Sequence, residues 1–251
     1  MFRPRIIPVL LLKDLALVKS IQFKNHRYIG DPINAVRIFS DLKADELVLL
    51  DIEASKNDRL VSLEFVKNVG EEAYMPFAVG GGVKSIENIK AILSAGAERV
   101  VINTRAAQDP NFIKEASETF GSSAIVVCID VKTNRLGGPR IWILSGSRPV
   151  EFTPIEFAQL MEENGAGELI IQSIDHDGTM EGYDVDLIKS ISTSVSVPVV
   201  ALGGAGKTKD LIEAYQHGHA SALGAGSLFV YQGKKRGVLI NYPDKSELVF
   251  S

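Results

Sequence analysis

The chain alternates short, nearly continuous apolar runs with longer amphipathic stretches. Runs rich in Val, Ile and Leu fall at 6–12, 46–52, 77–79, 100–102, 124–129, 169–173, 199–201 and 222–223. Each is followed by a turn or polar cluster, which is the pattern of parallel strands buried on both faces. Helix-length stretches lie between them, for example at 32–42, 86–94, 110–119, 154–164 and 209–217. Several open on Asp, Ser, Thr or Pro, residues that satisfy or dispense with the free N–H groups of a first helical turn. Eight such units in 251 residues predict an α/β fold, a (β/α)8 TIM barrel forming one domain over 1–251. An open doubly wound sheet is the alternative with the same alternation.

The pattern also repeats. DELVLLDIEAS (45–55) parallels GELIIQSIDHDGT (167–179), and MPFAVGGGVKSIENI (75–89) parallels VPVVALGGAGKTKDL (197–211), both about 120 residues apart. Two half-barrels are implied, at about 1–121 and 122–251. Nearly the same offset lays RIIPVLLLKD (5–14) on SAIVVCIDVKT (123–133), so Leu11 falls on Asp130 and Lys13 on Lys132. A leucine therefore stands where the repeat calls for an aspartate.

In such a barrel the reactive groups sit at the C-terminal strand ends. Gly81 and Gly82 follow the third strand candidate, and Gly203 and Gly204 the seventh, each just before a helix. There, bare backbone N–H groups and the helix dipole can hold a phosphate. Asn103 and Thr104 after the fourth strand, and Gly226 and Ser227 after the eighth, complete two cups for a phosphorylated small molecule. Asp51, Asp130, Asp175 and Asp177 stand at or beyond strand ends, with Gly178 beside Asp177, Lys19 on a long first loop and Ser173 on the sixth strand. A carboxylate at the mouth can serve as general acid or base. Asp51, Asp175 and Asp177 can equally cap helices or tie loops, whereas IVVCID delivers Asp130 as the last residue of a buried strand. Asp130 is the catalytic candidate. At the opposite end Arg5, Glu46, Arg99 and Glu168 open strands with alternating sign, either as a ring of salt bridges or as ordinary solvated strand starts.

Charge and cysteine usage narrow the partners. A net charge of -4 provides no basic stripe for nucleic acid. Cys128 is the only cysteine, which excludes an intrachain disulfide or a cysteine metal site, and His176 and His217 read as surface residues; no metal and no cofactor are expected. The opening apolar run stops at Lys13 without a cleavage pattern, and no stretch approaches the ~20 apolar residues of a membrane span. A cytoplasmic protein with no membrane partner is expected.

The motifs RIIP, GDP (30–32), DELVLLDI, VGGG, VVINT, GSSAIVVCID, GAGELIIQSIDHDGT with GYD (182–184), and GGAGK occur in an order that resembles the cyclase subunit of imidazole glycerol phosphate synthase over about 3–230. The resemblance implies a barrel that takes a substrate with a phosphate at each end. It also implies a glutaminase subunit on the N-terminal face, with ammonia passing a charged gate that maps onto Arg5, Glu46, Arg99 and Glu168, arginine replacing the usual lysine at Arg99. Two aspartates at the ends of strands 1 and 5 would be acid and base; Asp130 matches the second and Leu11 replaces the first. Leu15 stands in place of a family glycine, which should make the first loop less free to take positive φ. Leu202 replaces a polar position. LLLKD together with SLFVYQGKKRGVLINYP, where a closing helix is usual, resembles the paralogous glycosyl amidation-associated branch. That branch implies ammonia delivery to an N-acetyl sugar amidotransferase in surface-polysaccharide synthesis. An authentic cyclase of histidine biosynthesis and a silent scaffold are the other readings.

Overall fold

Eight parallel strands close on themselves in the computed structural model, which describes residues 3–134, 137–233, 235–244 and 248–250. They are β1 (Arg5–Lys13), β2 (Leu47–Asp51), β3 (Phe77–Gly80), β4 (Arg99–Ile102), β5 (Ile125–Asn134), β6 (Glu168–Ser173), β7 (Val199–Leu202) and β8 (Ala222–Ala225). Each pairs with the next, and β8 returns to β1 through Arg5↔Ala222 to Pro8↔Ala225. The fold is a (β/α)8 barrel, and closure removes the open-sheet alternative.

Strand periodicity divides the buried residues into two layers. Ile7, Val9, Val48, Ala78, Val101, Val126, Cys128, Ile170, Val200, Leu202 and Ala222 fill the barrel interior, with Leu11 and Leu50 packed against them. Their alternates, among them Ile6, Leu10, Leu49 and Ile129, join the core between strands and helices. Helices Pro32–Asp41, Leu63–Glu72, Ile86–Ser94, Asn111–Phe120, Pro154–Glu163, Val185–Ser192 and Thr208–Gln216 cover the seven connections. Asp31, Ser62, Ser85, Thr153 and Asp184 accept N-terminal backbone N–H groups of five of them, which spares those orphan donors burial without a partner.

Three additions differ from the sequence reading. The first loop is a hairpin of Ala16–Ile21 and Lys24–Gly30, so Lys19 lies on a strand. Its entry turn takes positive φ at Asp14 (49°) and Leu15 (60°) despite the missing glycine. The two-residue connection Lys13↔Ala16 demands those signs at both central positions, and the hairpin overrides the local preference. A second hairpin, Gly138–Ile143, extends β5 at the repeat-equivalent place. After β8 the helix Ser227–Val230 is one turn long, and the chain reverses in a ribbon of Tyr231–Gln232 and Gly237–Val238. It then runs back as an extended strap through Tyr242, with Leu248 buried and Phe250 edge-on to Tyr215 at 5.1 Å. Lys234 of the tail motif, the opening Met1 and Phe2, and Ser251 at the end of the chain lie outside the described residues.

Candidate active site

All eight strands contribute to one cavity at the C-terminal mouth of the barrel. Both expected cups line it: Gly81, Gly82, Asn103 and Thr104 on one side, Gly203, Gly204, Gly226 and Ser227 on the other. Gly81, Gly82, Gly203 and Gly204 take φ of 136°, 69°, 94° and 112°, which L side chains adopt only with strain.

The two halves of the barrel differ in polarity at one level of the mouth. Leu11 pairs with Leu50 across β1 and β2, and the equivalent positions across β5 and β6 are Asp130 and Gln172. Asp130 is buried, its carboxylate accepting from Cys128 Sγ at 3.5 Å, while Asn103 Nδ2 donates to the Cys128 carbonyl at 2.9 Å. Burial raises the Asp130 pKa to about 7, with Cys128 opposing and the charge of Asp177 adding to the rise. At neutral pH this carboxyl can therefore both give and take a proton. Lys19 Nζ donates to the Val9 carbonyl at 2.6 Å, and burial lowers its pKa to about 8 against the pull of Asp177.

Asp177 holds the first hairpin over the mouth. Its carboxylate accepts from Ser20 Oγ at 2.7 Å and its carbonyl from Gln22 N at 2.9 Å, and burial moves its pKa upward. A Cβ on Gly178 would stand 2.0 Å from the Ser20 carbonyl, so the hairpin needs glycine there. From the other side Ser145 Oγ of the second hairpin donates to the Ile52 carbonyl at 2.5 Å, and Leu144 N to Thr104 Oγ1 at 3.1 Å.

At the N-terminal end the four alternating charges close a ring. Arg5 bonds both Glu46 and Glu168; Arg99 Nη1 lies 2.9 Å from Glu168 Oε1 and 3.5 Å from Glu46 Oε1. Burial raises the Glu46 pKa, and Arg5 and Arg99 oppose it. The apolar interior separates this ring from the mouth.

Known proteins resemble this chain over nearly its whole length. The model of a family described as histidine biosynthesis protein matches residues 5–236. A Pseudomonas aeruginosa protein provisionally named imidazole glycerol phosphate synthase subunit hisF2 is 46% identical over 99% of both chains. A Vibrio vulnificus protein provisionally named subunit hisF3 of the same synthase is 41% identical over 98% of this chain and 95% of its own. A Leptospira interrogans protein provisionally named subunit HisF is 41% identical over 98% of both. The chain belongs to the family of imidazole glycerol phosphate synthase cyclase subunits.

Within this cyclase-family barrel not every sequence-selected residue of the mouth is free in the cavity. Asp130, Lys19, Asp177, Gly178 and the eight cup residues line the cavity. Asp51 lines it too, but both of its oxygens are engaged: Oδ1 accepts from Glu53 N and Ala54 N at 3.1 Å, and Arg59 reaches Oδ2 at 2.5 Å and Oδ1 at 3.1 Å. Ser173 does not join them. It shares the outward phase of Leu169 and Ile171, with its hydroxyl 2.9 Å from His176 Nδ1, and Gln172 takes the inward place. Asp175 ties β5 to the loop after β6 by accepting from Thr133 N at 2.8 Å. Gln172, Ser20 and Ser145 were missed; the repeat, which matches Gln172 to Leu50, was the available signal for Gln172. Among the described residues no cluster of His, Cys, Asp and Glu could hold a metal, and no helix is long and apolar enough to cross a membrane.

Proposed function

We propose that this barrel receives ammonia from a glutaminase subunit on its N-terminal face and delivers it at the mouth for amidation of an N-acetyl sugar, in surface-polysaccharide synthesis in the cytoplasm. The observation that carries this reading is the pairing of Leu11 with Leu50 where the repeat calls for an aspartate. Ring closure by paired acid and base needs a group on each side of the substrate, and leucine moves no proton. Losing one such group removes roughly 10²- to 10⁴-fold in rate. What remains suits transfer: a ring of Arg5, Glu46, Arg99 and Glu168 as gate, an apolar interior, and at the mouth Asp130, whose pKa of about 7 lets it exchange a proton. The two glycine cups suit the phosphates of a small-molecule ligand. The names of the relatives favour a glutaminase partner, since each is called a subunit of a synthase.

Asp130, with a pKa near neutrality, favours a second reading, a cyclase that works with one carboxylate. Growth of a histidine auxotroph separates the two. Restoration of growth at ordinary expression would overturn the amidation reading. Its direct test is product formation from a diacetamido nucleotide sugar with the glutaminase and amidotransferase present. Glutamine-driven product should require the barrel, and Glu46→Ala should alter the glutamine-driven rate while leaving the ammonium-driven rate alone.

A further inference from the structure

The C-terminal strap passes the chain neighbours of two ring residues. Leu239 N donates to the Val230 carbonyl at 3.0 Å and Asn241 N to the Phe229 carbonyl at 2.9 Å, leading the chain to Tyr242. The Tyr242 ring packs on Phe229 at 5.6 Å. Its hydroxyl donates to the Ile6 carbonyl at 3.0 Å and accepts from Asp45 N at 3.2 Å. Ile6 directly follows Arg5, and Asp45 directly precedes Glu46.

This bridge falls where the barrel wall lacks ladder pairing. β1 and β2 are in register from Val9↔Val48 upward, whereas the lower part of β1, residues 5–8, pairs with β8 instead. At the level of Arg5 and Glu46 the two strands are tied by side chains: Asp45 Oδ2 accepts from Ile6 N at 2.9 Å, Arg3 pairs with Asp45 Oδ1 at 2.5 Å, and Tyr242 spans both backbones. Burial holds the Tyr242 hydroxyl neutral by raising its pKa, so one oxygen can donate to one strand and accept from the other.

We propose that Tyr242 is a positioning residue for the gate. It fixes the separation of Arg5 and Glu46, and with it the closure of the ring, so that the strap which replaces a closing helix sets how ammonia passes. This rests on the channel reading above. Tyr242→Phe keeps the ring on Phe229 and removes only the hydroxyl. The test compares wild type, Tyr242→Phe and Glu46→Ala in the full complex, using the amidation assay driven by glutamine or by ammonium chloride. The expected result is a change on the order of fivefold in the glutamine-to-ammonium rate ratio for Tyr242→Phe, with faster amide exchange at Asp45. A purely structural tyrosine would lower thermal stability and leave the ratio unchanged. If Glu46→Ala shifts the ratio and Tyr242→Phe does not, the positioning role is overturned and the channel stands. If neither variant shifts it, the channel reading fails and the positioning role falls with it. An Asp45 amide that exchanges at the wild-type rate in Tyr242→Phe would overturn it as well.

Discussion

Leu11 faces Leu50 across the β1–β2 ladder at the level where Asp130 faces Gln172 across β5–β6. At that level one strand pair is apolar and the other polar, and the Asp130 carboxyl is buried away from the water that would solvate its charge. That is the physical origin of a pKa raised to about 7.

A carboxyl with a raised native pKa binds its proton more tightly when folded than when unfolded. Its contribution is fully present below the unfolded pKa and is lost as pH rises through the folded one. Asp130→Asn, which cannot ionise, should match wild type near pH 4 and become the more stable of the two above pH 7. The gap should reach a few kcal/mol, because each tenfold difference in proton affinity between the folded and unfolded chain is worth about 1.36 kcal/mol. Urea midpoints at pH 4, 6 and 8 measure this, and a gap that does not widen with pH would show that the carboxyl is not desolvated.

Leu11→Asp tests the apolar side of the same mouth. The new carboxyl would enter a wall built from Val9, Leu50 and Leu202, in the cavity that already holds Asp130. Burying an unpaired charge there should cost about 2–4 kcal/mol at pH 8. The sign follows the same rule: its native pKa is raised, so the loss should shrink as pH falls to 5 and the group protonates. Denaturation at the two pH values checks it, and equal losses would mean that water or Lys19 reaches position 11.

The barrel and its cups were legible because they rest on local, repeated signals: apolar runs, glycines before helices, and a repeat of about 120 residues. Ser173 and Gln172 both close the same strand, and only side-chain phase tells which of them faces the cavity. The hairpins were hidden for a different reason. Lys24–Gly30 is mostly exposed, so it carries little burial pattern, and the hairpin is docked over the mouth by Ser20 and Asp177, residues 157 apart. Arg59 as partner of Asp51, and Tyr242 as partner of Ile6 and Asp45, likewise depend on contacts that no sequence period encodes.

Leu15 is 58% exposed at a φ of 60°, so its side chain gains little from burial while its backbone sits in the left-handed region. Glycine there removes the steric cost but adds unfolded-state entropy. In a type I′ hairpin turn the first effect should win, because both central residues need positive φ. Leu15→Gly should stabilise by about 0.5–1 kcal/mol, a rise in Tm of roughly 1–4 °C for a chain of this size. Calorimetry is the check, and a fall in Tm would mean that Leu15 packs against something beyond its own turn.

The two cups should respond differently to an added methyl group. At Gly82 a Cβ would meet the Arg59 carbonyl oxygen at 1.8 Å, with φ at 69°. Backbone blocks it, and Arg59 is also held by Asp51, so Gly82→Ala should displace the 51–59 segment and cost about 3 kcal/mol or more. At Gly226 the first obstacle is Lys19 Nζ at 2.3 Å, the end of a flexible side chain, and φ there is an ordinary -109°. Gly226→Ala should be accommodated by withdrawal of Lys19 from the Val9 carbonyl, costing about 1–2 kcal/mol for the lost buried bond. Binding of inorganic phosphate at the β7–β8 cup should weaken with it, because the withdrawn ammonium no longer stands beside Gly226. Melting curves and phosphate titrations of the two variants separate these outcomes, and a Gly226→Ala protein that keeps wild-type phosphate binding would remove Lys19 from that cup.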